Sequence, residues 1–286
     1  MPQIKTRLIA LHYFATLILT LCLATESEAR QMYSAAFGTW GLAQNQTFQA
    51  AKDSGFDVVI SSDVAKTEIM GLKCFFPFSV TKQIATDEAQ WQLFVTKVKA
   101  VVSKYRGNKT VFGYYLADEP DWNQVPAIRF KELNAVIKSI DNSKPTFVIL
   151  TIPSKWYSYL PFFDIIGIDP YLPNTHTGKE TDKVKGWIDK INRDMIKLKI
   201  NKPLWVVLGT FEEIPKNNSK PAFRKPTPAE FEVMIQTCLA NHVSGIVIFS
   251  LSKDETASNY GWNLINNDPL LWDAVKKLPA RISIID

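Results

Sequence analysis

Three carboxylates fall within four consecutive residues, where Asp118, Glu119 and Asp121 surround Pro120. An apolar run, Gly-Tyr-Tyr-Leu-Ala at 113–117, leads into them, and Trp122 follows. Cleavage of a glycosidic bond is one reaction that needs little more than two carboxyl groups. One protonates the leaving oxygen, and the other attacks the anomeric carbon or activates water. An apolar strand that ends in acids and is stopped by a proline displays them at the C-terminal mouth of a β/α barrel. Glu119 is the candidate acid on that ground.

The rest of the chain supplies the elements such a barrel needs. Short runs rich in Val, Ile and Phe recur at 33–37, 57–61, 72–76, 111–117, 146–151, 164–169, 204–210 and 245–251. Their near-continuous hydrophobicity fits parallel strands buried on both faces. Helical patterns lie between them at 47–53, 87–105, 126–140, 181–198 and 228–241, with a closing helix at 269–277. In the helix from Asp87, residues Trp91, Phe94, Val98 and Val101 form one apolar stripe. Thr227, Pro228 and Glu230 have the spacing of a helix cap followed by a first-turn proline and acid. Eight such units, with no Gly-rich phosphate turn after the first strand, predict a single (β/α)8 barrel rather than an open doubly wound sheet.

In a barrel, chemistry belongs to the loops that follow the strands. Those loops carry Trp40, then Asp63, then Asp118, Glu119, Asp121 and Trp122, then Trp156 and Tyr157. Asp169, Tyr171 and His176 follow strand six, Glu212 and Glu213 follow strand seven, and Lys253, Asp254, Glu255 and Trp262 follow strand eight. Carboxylates and aromatics together suit sugars, whose rings stack on Trp and Tyr while their hydroxyls need polar partners. The expected substrate-binding set is Trp40, Asp118, Trp122, Tyr171, Lys253 and Trp262. Strand alternation refines the geometry. If Glu119 faces the barrel axis, so do Gly113, Tyr115 and Ala117, while Phe112, Tyr114 and Leu116 face the helices and Asp118 points sideways. The same alternation places Asp169 and Tyr171 together at the mouth of strand six.

Other classes find little support. After residue 29 only His176 and His242 remain as histidines, too few for a multi-histidine metal site, and the chain has no Walker A sequence or dinucleotide fingerprint. No metal or cofactor is expected. The net charge of +5 comes from scattered lysines with no aromatic-interleaved basic run, so nucleic acid is not an expected partner. Residues 1–29 read as a cleaved signal peptide: Lys5 and Arg7 precede an apolar run, and Ser27 and Ala29 flank a small-x-small site. The domain would then span 30–286, secreted or periplasmic, without a stable membrane span. Cys74 and Cys238, the cysteines beyond the signal, read as two buried small residues rather than a disulfide.

Over residues 33 to 277 the chain resembles the TIM-barrel glycoside hydrolase superfamily. The resemblance is carried by residues 113–121, by Ile-Gly-Ile-Asp-Pro-Tyr at 166–171, by Pro-Leu-Trp-Val-Val-Leu at 203–208, by Gly-Ile-Val-Ile-Phe at 245–249, and by the segment from Arg224 to Glu230. In the best-studied clan the strand-four motif is Asn-Glu-Pro, whose Glu is the acid/base; here it is Asp118-Glu119-Pro120. The resemblance implies that Glu119 is the acid/base and that Tyr171 stands where a strand-six tyrosine contacts the nucleophile. The clan's nucleophile is a Glu ending strand seven, a place held here by Gly209 or Thr210. The second carboxylate is then Glu212, Glu213 or Asp169. An oligo- or polysaccharide is the implied substrate, and a barrel that binds carbohydrate without cleaving it is the alternative.

Overall fold

A computed structural model describes residues 32–37, 45–212, 222–251 and 264–282. Eight parallel strands, hydrogen-bonded in sequence order, close on themselves as β8 pairs with β1. They are β1 (Tyr33–Phe37), β2 (Val58–Ile60), β3 (Lys73–Pro77), β4 (Val111–Asp118), β5 (Thr146–Leu150), β6 (Ile165–Ile168), β7 (Leu204–Gly209) and β8 (Gly245–Phe249). This is the closed (β/α)8 barrel that the sequence predicts, with strands close to the expected positions.

The helices follow in order as α1 (Asn45–Asp53), α2 (Val64–Ile69), α3 (Lys82–Thr86), α4 (Glu88–Tyr105), α5 (Ala127–Ile140), α6 (Asp182–Leu198) and α7 (Pro228–Ala240). After β8 come α8 (Leu264–Asn267), α9 (Pro269–Val275) and α10 (Leu278–Ile282). No full helix follows β5; two 3-10 turns, Trp156–Ser158 and Leu160–Phe162, make that connection. Polar caps set several starts. The Asp63 carboxylate accepts from Lys66 N at 3.0 Å to begin α2, which makes Asp63 a capping residue. Thr227 and Glu230 form a reciprocal capping box at α7, with Pro228 in the first turn. In α4 the buried stripe is Trp91, Val95, Val98 and Val102, with Phe94 and Val101 flanking it. Cys74 and Cys238 are both buried free thiols.

Two apolar layers hold the barrel. The outer one lies between strands and helices, and the inner one fills the lumen with Phe75, Tyr115, Phe147 and Trp205 among others. Tyr33, Phe112, Phe75 and Trp205 form an aromatic floor, with ring centroids 4.9 Å apart for Tyr33–Phe112 and 5.4 Å for Phe75–Trp205. Trp205 fits only because residue 245 is glycine: a Cβ there would stand 2.4 Å from the indole.

Strict alternation fails along β4, and this corrects the expected facing. The β3–β4 register shifts between Cys74 and Phe75, and the β4–β5 register shifts between Tyr115 and Ala117. Each irregularity inserts an extra residue and reverses the parity beyond it. Phe112 therefore packs into the lumen layer with Tyr115, while Ala117 joins the outer layer. Asp118, expected to point sideways, turns toward the lumen, where its carboxylate accepts from the Tyr115 hydroxyl at 2.5 Å.

Candidate active site

At the end of β4 the chain turns sharply, because Glu119 adopts a left-handed backbone conformation with φ of 43°. Such a φ is uncommon outside glycine and is held here by hydrogen bonds on both sides. Glu119 N donates to Ile149 O at 3.1 Å, and Glu119 O accepts from Asn123 N at 2.9 Å. Asn123 Nδ2 also donates to Asp118 O at 3.1 Å. The bulged strand and the left-handed turn bring two consecutive carboxylates to the barrel mouth, which simple alternation would forbid.

Asp121 anchors this turn from below. Its buried carboxylate accepts from Ile152 N at 2.5 Å and from Thr151 N at 3.1 Å, and Lys155 Nζ donates to Asp121 O at 2.9 Å. With its oxygens occupied by the β5 loop, Asp121 is a structural tie between the loops after β4 and β5.

Asp169, just past β6, completes the carboxylate cluster. Its side chain is buried, and no donor reaches either oxygen among the described residues. The Glu119 carboxyl and the Thr151 side chain lie close to it, with the Asp118 charge nearby. Burial, then the Glu119 contact, pushes Asp169 well above the usual carboxylate range, although Thr151 works against the rise. Burial also raises Asp118 to about 6; the Tyr115 hydroxyl opposes that rise and the Glu119 charge adds to it. Asp118 is thus largely ionised at neutral pH.

Tyr171 roofs the strand-seven side. Its N–H donates to Asp169 O at 2.7 Å. Its ring packs edge-on against Phe211 at 5.0 Å and Phe223 at 5.7 Å, and tilted against Phe249 at 5.9 Å. Beneath it lies Gly209, where a Cβ would stand 2.8 Å from Tyr171 Cδ1. The ring occupies the space that any side chain at the end of β7 would need. The loops bearing Tyr171 and Phe223 are tied by an antiparallel bridge between Pro173 and Phe223 and by Arg224, whose main-chain N donates to Leu172 O at 3.2 Å and whose Nε donates to Thr175 O at 3.2 Å.

Of the site residues expected from sequence, Asp118, Glu119, Asp169 and Tyr171 are thus brought together. Trp122 lies on the β4 loop with 64% of its surface exposed, and Glu212 is exposed after β7. Trp40, Lys253 and Trp262 lie outside the described residues, as do Glu213, Asp254 and Glu255. Sequence reasoning missed the site roles of Tyr115 and Thr151. The bulge in β4 that puts Tyr115 and Asp118 on one face leaves no mark in the sequence. Among the described residues no group of three or more His, Cys, Asp or Glu side chains could hold a metal ion, and no helix is long and apolar enough to cross a membrane.

No protein-family model and no curated protein sequence matches the chain. Solved structures that share its (β/α)8 fold include glycoside hydrolases. It superposes on the endo-β-1,4-mannanase of Thermotoga petrophila with a TM-score of 0.65 at 12% identity, covering 88% of this chain and 77% of that one. For the β-galactosidase of Bacillus circulans sp. alkalophilus the TM-score is 0.66 at 7% identity, covering 89% and 56%. For the GH2 β-galacturonidase of Eisenbergiella tayi it is 0.64 at 11% identity, covering 88% and 51%. The chain spans only about half the length of the last two. At these identities the likeness is one of fold, and fold does not fix activity.

Proposed function

We propose that this chain is a glycoside hydrolase-like enzyme that cleaves O-glycosidic bonds in an oligo- or polysaccharide, with Glu119 as general acid/base. The observation that carries the reading is the gathering of Glu119, Asp118 and the buried Asp169 at the mouth of the barrel, with Asp169 raised well above the usual carboxylate range by burial and then by Glu119. As the bond breaks, Glu119 in its acid form passes its proton to the leaving oxygen, and positive charge develops at the anomeric carbon. Asp118, ionised above about pH 6, faces that charge. The Glu119 carboxylate then accepts a proton from the incoming water, which returns it to its acid form.

Asp169 is the second carboxylate of this scheme. Two-carboxylate hydrolases place their groups about 5–5.5 Å apart for retention and about 6.5–9.5 Å for inversion. Export through a signal peptide over 1–29, into the periplasm or medium, completes the proposal; it rests on the charged and apolar pattern of that segment.

A carbohydrate-binding barrel without catalysis is the second reading. It is favoured by the tyrosine ring over Gly209, where the related clan carries its nucleophile. A panel of aryl glycosides and soluble glycans separates the two. Glu119→Gln is expected to abolish turnover while thermal unfolding stays within a few degrees of the parent. Full activity in that variant rules out the acid role, and glycan binding without any hydrolysis by the parent selects the second reading.

A further inference from the structure

Lys183 stands in the first turn of α6, at the helix end where a cation is disfavoured by the dipole. Its surroundings explain its placement. The Nζ donates to Tyr171 O at 2.8 Å. It also lies 4.6 Å from the ring centroid of Trp187 and 5.6 Å from that of Phe223. A desolvated ammonium gains from such aromatic faces and from a carbonyl acceptor. The side chain is thus built into a cage joining α6, the β6 loop and the β7 loop.

From this geometry we infer that Lys183 is a positioning residue of the site: it fixes the Tyr171 main chain, and with it the ring over Gly209, and its charge acts on Asp169. The inference rests on the glycosidase reading above for its catalytic meaning, but not for its structural content. The ammonium is spent on the Tyr171 carbonyl and the two rings. Burial lowers its pKa and the Asp169 charge opposes that fall. The groups facing Asp169 are Glu119 and Asp118 from β4 and its turn, Thr151 after β5, Tyr115 from β4, and Lys183 from α6. Burial and then Glu119 dominate Asp169 itself, and the 2.8 Å bond to Tyr171 O is the hold that Lys183 makes directly.

The two holds separate by substitution in the full chain. Lys183→Gln keeps a donor for Tyr171 O and removes the charge, whereas Lys183→Met removes both. The first readout is the pH titration of the buried carboxylic acid by difference infrared spectroscopy, with its band assigned through Asp169→Asn. Both variants are expected to move that midpoint upward, by about half a pH unit to one unit. The second readout is kinetic. Lys183→Met should raise KM for the cleaved glycoside about tenfold as Tyr171 loosens, while Lys183→Gln leaves KM within about twofold and shifts only the pH profile. An unchanged midpoint in both folded variants overturns the inference, as does unfolding of both, which would make Lys183 a stability residue only. If the parent cleaves no glycoside while the midpoint still moves, the positioning role stands and the glycosidase reading falls.

Discussion

Replacing Asp118 with Asn tests the electrostatics of the site most directly. Asp118 titrates near pH 6 in the folded chain, against 3.8 for an ordinary aspartate, chiefly because it is buried. A folded-state pKa above the unfolded one means that the native state binds more protons between those values. Stability then falls as pH rises from about 4 to about 6, and it stays lowered above that. The gap of about two units corresponds to about 3 kcal/mol at 1.36 kcal/mol per unit, an upper figure because the side chain keeps some solvent contact. Asn removes this cost; the opposing hydrogen bond from Tyr115 is already contained in the net shift. The variant should therefore be more stable than the parent by up to about 3 kcal/mol at pH 7, or about 6 °C in Tm at about 2 °C per kcal/mol for a chain of this size. Below pH 4, where Asp118 is protonated both folded and unfolded, the advantage should vanish. Urea unfolding followed by tryptophan fluorescence at unit steps from pH 3 to pH 8 measures this directly. An advantage independent of pH, or a loss of stability at pH 7, would refute the assignment of Asp118 as a buried, ionised acid. Turnover should fall in the same variant, so that stability and activity move in opposite directions.

Other perturbations probe separate parts of the site. Gly209→Ala drives a methyl to within 2.8 Å of Tyr171 Cδ1, and overpacking of that kind costs about 1–3 kcal/mol. Its expected signature is a lower midpoint in chemical denaturation together with weaker substrate binding, as Tyr171 is displaced. Asp121→Ala leaves the buried N–H groups of Thr151 and Ile152 unpaired, for a loss of about 2–3 kcal/mol. Faster amide exchange confined to the loops after β4 and β5 would accompany that loss, and protection equal to the parent's would count against the tie. Arg224→Met should make the chain acid-labile at a higher pH. Glu230 is held down to about 2, chiefly by Arg224, so the stability it contributes is present above its ordinary range and lost as pH falls toward 2. Without Arg224 that loss begins earlier, which an acid-unfolding curve read by circular dichroism would show.

Local signals carried much of this architecture. Runs of Val, Ile and Phe mark strands whatever surrounds them, because a strand buried on both faces has few other compositions open to it. The capping box at Thr227 and Glu230 is likewise a contract among four neighbouring residues, and it is met as written. The apolar stripe of α4 was found one residue from where the largest side chains suggested. Trp91 and Val98 are shared, but Val95 and Val102 are buried more deeply than Phe94 and Val101. Large rings at the edge of a helix interface can stay partly exposed where smaller ones beside them are enclosed. The stretch after β5 has no full helix, only two 3-10 turns held by local bonds such as Tyr159 N to Trp156 O at 2.8 Å.

The sequence by itself determined the barrel, the order of its strands and the presence of acids at the end of β4, since these follow from periodicity and from residue types read a few positions at a time. Tertiary structure alone decided which way those acids point. Two bulges in β4 reverse its alternation, and a left-handed turn at Glu119 sets consecutive carboxylates on the same mouth. It also decided that the buried Asp169 comes close to Glu119, and that a tyrosine ring fills the space above Gly209. Registers, bulges and close ring contacts arise between segments far apart in the chain, where the pairing of one strand is fixed by its neighbour and not by its own residues.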